Sequence, residues 1–155
     1  MANKDAVGRQ GPEFELTVER GKIREFAKAT QSGAPGYLDV EDPVIPPTFL
    51  TSVNFWQPPE EAALFGNLDI DLRRLLHGEQ EYIFRGAPPR AGDKLHARTV
   101  VEEIYDKEGK RGGTMTFVVT RTDFTNDDGD LVAQARATAI ETGRAPSAPT
   151  PPQGD

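Results

Sequence analysis

The chain of 155 residues, 36% of them hydrophobic, is long enough for one domain with a real core and too short for two ordinary ones. A formal charge of -7 repels phosphates at long range, which argues against nonspecific binding to nucleic acid or to an anionic membrane. Cysteine is absent, which excludes a disulfide framework, a thiol nucleophile and a thiolate metal site; no apolar run approaches the roughly 18 residues of a membrane span and the N-terminus has no signal-peptide core, so a soluble, cytoplasmic protein is expected.

The ends are poor in groups that can bury surface. Residues 143–155, GRAPSAPTPPQGD, are rich in proline and small polar residues, and 1–12 look similar, so a flexible N-terminus over 1–12, a folded domain over 13–142 and a disordered tail are expected. FELTVERGKIREFAKATQ reads as a short strand and then a helix, with Ile23, Phe26, Ala27 and Thr30 at helical spacing. The helical signal stops at Ser32-Gly33, where an acidic, proline-rich loop, SGAPGYLDVEDPVIPPTF, begins. After it, Phe49, Leu50, Val53 and Trp56 stand at i, i+1, i+4 and i+7, with Thr48 placed to cap, which predicts a short apolar helix ended by Pro58-Pro59. EEAALFGNLDIDLRRLL is assigned a helical turn and a loop.

The remainder is strand-like. HGEQEYIF, KLHARTVVEEIY, TMTFVVTRTDFT and LVAQARATAIET are rich in β-branched and aromatic residues. DKEGKRGG and NDDGD, between the last three, carry the Gly and Asp of hairpin turns, so these strands form an antiparallel meander. Ala133, Ala135, Ala137 and Ala139 share one side of the last strand, flanked by Leu131. A row of methyl groups suits a sheet curling closely around a helix. The helix beginning at Thr48 is the candidate, giving an α+β fold with an antiparallel sheet wrapped around a central apolar helix.

At PPTFL, LLHGEQEYIFRGAPPRAGDKL and DKEGKRGGTMTFVVTRTDFTNDDGDLVAQARAT, the sequence strongly resembles the MaoC-like hot-dog dehydratases and hydratases, and most nearly their N-terminal, FAS1-like dehydratase branch. HGEQEY and AGDKL at this separation, followed by a hairpin with GD in its turn, are the most specific parts. The resemblance runs from Phe14 to Thr142 and implies a hot-dog fold. It also implies a substrate class: acyl chains carried as thioesters on coenzyme A or acyl carrier protein, to which water is added or from which it is removed, with no resident cofactor or metal.

Active members of this family hold an Asp and, five residues later, a His in the loop before the central helix, in a pattern like Gly-Asp-x-Asn-Pro-(Leu/Ile)-His-x-Asp. A carboxylate and an imidazole suit a reaction that moves a proton at the carbon α to the thioester and activates or releases water at the β carbon. Here Gln31-Ser32-Gly33-Ala34-Pro35-Gly36-Tyr37-Leu38-Asp39 keeps the register but puts Ser32 at the Asp position and Tyr37 at the His position. A hydroxyl without a base and a phenol with pKa near 10 do not replace that pair. Val40-Glu41-Asp42-Pro43 also shortens the approach to the helix.

The resemblance therefore implies a non-catalytic, pocket-forming subunit of a heteromeric enoyl-CoA hydratase or 3-hydroxyacyl-thioester dehydratase, whose Asp and His come from a partner hot-dog chain. It places substrate near Pro46, Pro47 and Phe49, for which the alternative is a rigid helix entry and a core aromatic, and near His77-Gly78. The cluster Arg85, Arg90 and Lys94 and the pair Arg73-Arg74 are read either as holding coenzyme A phosphates or as solvated surface. His77 is the candidate for a rescued site, because 77, 79 and 81 of a regular strand share a face and Glu79 and Glu81 could approach it; the alternative is a structural histidine. His96 is read as solvated, Trp56 as core or subunit interface, and Asp39 as a loop residue or ligand contact. The competing functions are a self-sufficient homodimeric (R)-specific hydratase using His77 and Asp39, a non-enzymatic acyl-thioester-binding module, and a hot-dog thioesterase.

Overall fold

The computed structural model describes residues 2–57, 68–109 and 113–143. In chain order it comprises β1 (Phe14–Thr17), α1 (Arg20–Ala29), α2 (Pro35–Leu38), a central 3-10 helix (Phe49–Phe55), β2 (Leu75–Phe84), β3 (Lys94–Glu108), β4 (Thr114–Thr125) and β5 (Leu131–Glu141). All strands join one antiparallel sheet in the order β1-β3-β4-β5-β2.

The expected hairpins are present. Gly113 holds φ +87 beside the Gly109 N-H to Gly113 carbonyl bond of 2.9 Å. In NDDGD the Asn126 side chain accepts from the N-H groups of Asp128 and Asp130, while Gly129 takes φ +84. These turns make β3, β4 and β5 a meander. β2 stands outside it and closes the far side of the sheet by pairing with β5, leaving its own outer ladder at an edge.

The main core lies between this sheet and the helices: Phe14, Leu16, Leu95, Ala97, Phe124 and Ala133 of the strands meet Ile23 of α1 and Phe49, Leu50 and Val53 of the central helix. Phe26 crosses Phe49 edge-on, ring centres 5.5 Å apart. Thr30 is exposed rather than part of the helix's apolar stripe; its hydroxyl donates to the Phe26 carbonyl and ends α1.

Three expectations need correction. The central helix is a 3-10 helix: Phe49, Thr51 and Trp56 donate to the carbonyls of Pro46, Thr48 and Val53, each three residues back. Pro46 and Pro47 set the entry, and Thr48 contributes its carbonyl rather than a side-chain cap. In a 3-10 helix residues i and i+3 eclipse, so Phe49/Ser52/Phe55, Leu50/Val53 and Thr51/Asn54 form three ridges, the second reaching the capping Trp56 and the third continued by Gln57 just past the cap.

The N-terminal segment, expected to be flexible over 1–12, packs on the fold from Ala2 onward. Gly8 and Gly11 donate to Val101 and Thr99, Val101 donates to Arg9, and Gln10 bridges Val100. Ala2 and Ala6 bury against Leu68, Val101 and Val118. Two alanines carry no visible periodicity, yet they fit the small space beside β3, and Lys4 Nζ lies 2.6 Å from an Asp106 carboxylate oxygen.

The strand face assumed for His77 is the third correction. The β2–β5 register shifts between His77 and Glu79, so a bulge at Gly78 turns the face over: His77 looks inward with Gln80 and Tyr82, while Glu79 and Glu81 point outward. A Cβ on Gly78 would stand 2.7 Å from Ile140 Cδ1 and 3.1 Å from the Thr138 carbonyl oxygen, which is why glycine occupies the bulge. Of the segment assigned a helical turn and loop, Leu72–Arg74 forms a 3-10 turn; 58–67, including the expected Pro58-Pro59 stop, and the tail beyond Gly143 lie outside the described residues.

Candidate functional site

The alanine stripe becomes the floor of a channel because each alanine lies between longer neighbours. Across β2, β5, β4 and β3 the inward-facing rows read Phe84–Ala133–Phe124–Ala97, Tyr82–Ala135–Thr122–Thr99, Gln80–Ala137–Thr120–Val101 and His77–Ala139–Val118–Ile104. Phenylalanines fill the first row. From Ala135 to Ala139 the floor stays low, and a cavity of about 230 Å³ opens above it.

The roof is the central helix. Its Thr51/Asn54/Gln57 ridge faces the cavity beside Leu50 and Val53. The Tyr82 hydroxyl donates to Thr51 Oγ1 at 2.7 Å, joining wall to roof. Burial pushes the Tyr82 phenol above its ordinary pKa, partly offset by that bond to Thr51, so it stays a neutral donor across the working pH range. In the same row Thr99 and Thr122 share a hydrogen bond of 2.9 Å. Among the described residues no carboxylate lines the cavity, and His77 is its one imidazole.

The loop positions singled out in the sequence lie elsewhere. Ser32 is half-buried just after Gln31, which takes φ +56, and its N-H donates to the Ala27 carbonyl at 2.8 Å. Tyr37 sits in α2 and packs against the main core, and Asp39 is exposed at the end of α2 with its N-H on the Pro35 carbonyl. None of the three lines the cavity, so Asp39 and His77 are not brought into one site there.

The other candidates scatter. Pro46 is buried and Pro47 exposed. Phe49, 2% exposed, is a core residue held against Phe26 and contributes nothing to the cavity wall. Gly78 shapes the bulge beside His77. Trp56 is half-buried, with Lys22 Nζ 5.9 Å from its ring centre.

Every cation considered for phosphate has a protein partner. Arg85 donates to Gln134 at 2.9 Å; Arg90 donates to the Asp42 carbonyl at 3.1 Å and lies 3.5 Å from its carboxylate; Lys94 lies 3.6 Å from Glu15. Arg73 pairs with Asp71, whose carboxyl is held well below the usual range mainly by the Arg73 side-chain and backbone donors, and Arg74 is committed to the buried Glu141 and to Asp71. His96, read as solvated, places Nε2 3.0 Å from Asp127 and Nδ1 4.0 Å from Glu13. Among the described residues no three His, Cys, Asp or Glu side chains converge as metal ligands, and no helix is long and apolar enough to cross a membrane.

The sequence marks the alanine face as one turned toward the helix, but neither its role as a cavity floor nor most of the walls. Thr120 and Thr122 stood in a run read only for strand propensity, though they alternate in phase with the alanines paired to them. Thr51, Asn54 and Gln57 were hidden by an α-helical period; a spacing of three would have put them on one ridge.

Comparison with known proteins agrees with this architecture. The family model for the FAS1-like, dehydratase domain region matches residues 5–135. A UPF0336 protein of Parafrankia sp. is 32% identical over 156 aligned positions, covering 93% of this chain and 97% of that protein. One chain of the C-terminally truncated HadBC (3R-hydroxyacyl-ACP dehydratase) complex of Mycobacterium tuberculosis superposes with a TM-score of 0.71 at 28% identity, covering 88% of this chain and 97% of that one. A MaoC-like dehydratase from Rhodospirillum rubrum shares the fold, with a TM-score of 0.61 at 21% identity over 94% of this chain and 99% of that one. With its antiparallel sheet wrapped around one central helix, the chain belongs to the FAS1-like dehydratase branch of the MaoC-like hot-dog dehydratase family.

Proposed function

We propose that this chain is the non-catalytic, pocket-forming subunit of a heteromeric hydratase or dehydratase acting on acyl thioesters of coenzyme A or acyl carrier protein, with the Asp and His supplied by a partner hot-dog chain. One observation carries the reading: among the described residues the alanine-floored cavity is lined by neutral side chains and a single imidazole, without a carboxylate, while Ser32 and Tyr37 occupy the loop positions of the missing pair. General acid-base chemistry at adjacent carbons needs a group that exchanges a proton near neutral pH and a second that orients or relays it. His77 alone does not meet that need, since the Gly78 bulge turns Glu79 and Glu81 to the opposite face.

Likeness to a subunit of the heteromeric HadBC complex supports a hot-dog partner. β2 supports it physically: ten residues long and, among the described residues, paired only with β5, it presents an outer row of backbone donors and acceptors next to the cavity wall. Arg85 and Arg90, exposed beyond the end of β2, are the cations assigned to the carrier's phosphates, and the reading requires no resident cofactor.

The test is co-expression with a neighbouring small hot-dog chain, followed by enoyl-thioester hydration assays on each chain and on the mixture. Turnover only in the mixture, abolished by mutating the partner's Asp or His, is expected. Turnover by this chain alone, at a rate unaffected by Ser32→Ala and Tyr37→Phe, would overturn the proposal.

A further inference from the structure

We infer that the cavity selects an acyl group bearing an oxygen substituent, a hydroxyl or a keto group, along its chain beyond the reacting α and β carbons, over a plain alkyl chain, and that Thr120 is the residue that reads it. The inference rests on the cavity being the acyl site. It comes from which polar groups there are already satisfied.

In the row of Ala135 the polar atoms pair among themselves: Tyr82 with Thr51 and Thr99 with Thr122. An alkyl segment passing that row meets no unmet hydrogen-bonding demand. The next row differs. Thr120, 6% exposed and facing the cavity, makes no side-chain hydrogen bond among the described residues. Opposite it across Ala137, Gln80 spends only its amide N-H, in a long bond of 3.4 Å to the Arg136 carbonyl. Asn54 and Gln57 of the roof also reach this cavity without a side-chain hydrogen bond among the described residues. Donors and acceptors therefore face one another across a floor of methyl groups.

A hydrocarbon chain seated there would strip water from these groups and return nothing, which penalises it. A hydroxyl or keto oxygen would accept from the Thr120 hydroxyl, and the amides of the facing residues would serve its other lone pair or proton. A pocket built to hydrogen-bond a substrate oxygen discriminates against the analogue lacking it far better than an apolar pocket discriminates by size.

The experiment is calorimetric binding to the full chain of decanoyl-CoA and a panel of its single-keto analogues, with the keto group moved along the chain beyond carbon 3. At least one analogue is expected to bind roughly tenfold more tightly than decanoyl-CoA, the worth of one well-made hydrogen bond. Thr120→Val should remove that preference and Thr120→Ser should keep it, which separates loss of the hydroxyl from damage to the strand. Equal affinity across the panel, or a preference that survives Thr120→Val, would overturn the inference and leave the subunit proposal standing. Failure of every thioester to bind would overturn both. A preference lost in Thr120→Val, in a chain that no hot-dog partner activates, would uphold the inference and sink the proposed function.

Discussion

Ala137→Leu tests the channel through the sign of a stability change. Ala137 sits mid-floor between Gln80 and Thr120, in a cavity of about 230 Å³. Leucine adds three carbons, and burial at about 0.8 kcal/mol per methylene gives about 2.4 kcal/mol. About 0.5–1 kcal/mol of rotamer entropy and the crowding of Thr120 reduce this to a net gain of about 1 kcal/mol. For a chain of this size that is a rise of about 2–4 °C in melting temperature. If the stripe were instead packed tight against the central helix, the same substitution would overpack the core and cost about 1–3 kcal/mol. Thermal and urea unfolding measure the change, and acyl-thioester binding should fall at least tenfold as the channel fills. A variant that melts lower, or one that keeps wild-type acyl affinity, would refute the channel.

Two further outcomes follow from the geometry. Gly78→Ala should destabilise by about 1–3 kcal/mol, because the added carbon meets Ile140 and the Thr138 carbonyl; Gly78→Ala with Ile140→Val should recover part of the loss in denaturant titration, and no recovery would mean that the backbone contact decides. The Asp106 carboxyl is held below its ordinary pKa, chiefly by the Lys4 ammonium and then the Thr116 hydroxyl. A carboxyl whose folded pKa is depressed stabilises above its unfolded pKa and loses that contribution as pH falls through the folded value. Stability should therefore decline as the pH falls below the ordinary carboxylate value of 3.8, and Asp106→Asn should flatten that part of the profile in acid unfolding monitored by circular dichroism.

β3, β4 and β5 were legible because their signals are local: alternation, β-branched residues and turns built from Asn, Asp and Gly. The alanine stripe was legible too, as the face turned toward the central helix, but not as the floor of a cavity from Ala135 to Ala139. What stayed hidden depends on partners far along the chain. Ala2 and Ala6 gain their burial from Val101 and Val118, and nothing within residues 1–12 announces that contact. The Gly78 bulge is set by Ile140 and Thr138 of β5, so sequence spacing alone put His77 with Glu79 and Glu81 when the fold separates them. The central helix carries the apolar content of an α-helix, and only its hydrogen bonds, three residues back, reveal which ridge meets the cavity.

The two borders of the sheet are unequal. Along β3 the neighbours are four-residue β1 and the short N-terminal bridge around Gln10, whereas β2 offers ten residues in one run. A broken, short border is a poor template for adding another chain, and a long one is a good template. If a partner pairs along β2, each chain spends its one good border in doing so, and the joined sheet ends in poor borders on both sides. On that pairing growth would stop at two, with the N-terminal strap keeping the joined sheet from extending into a fibre.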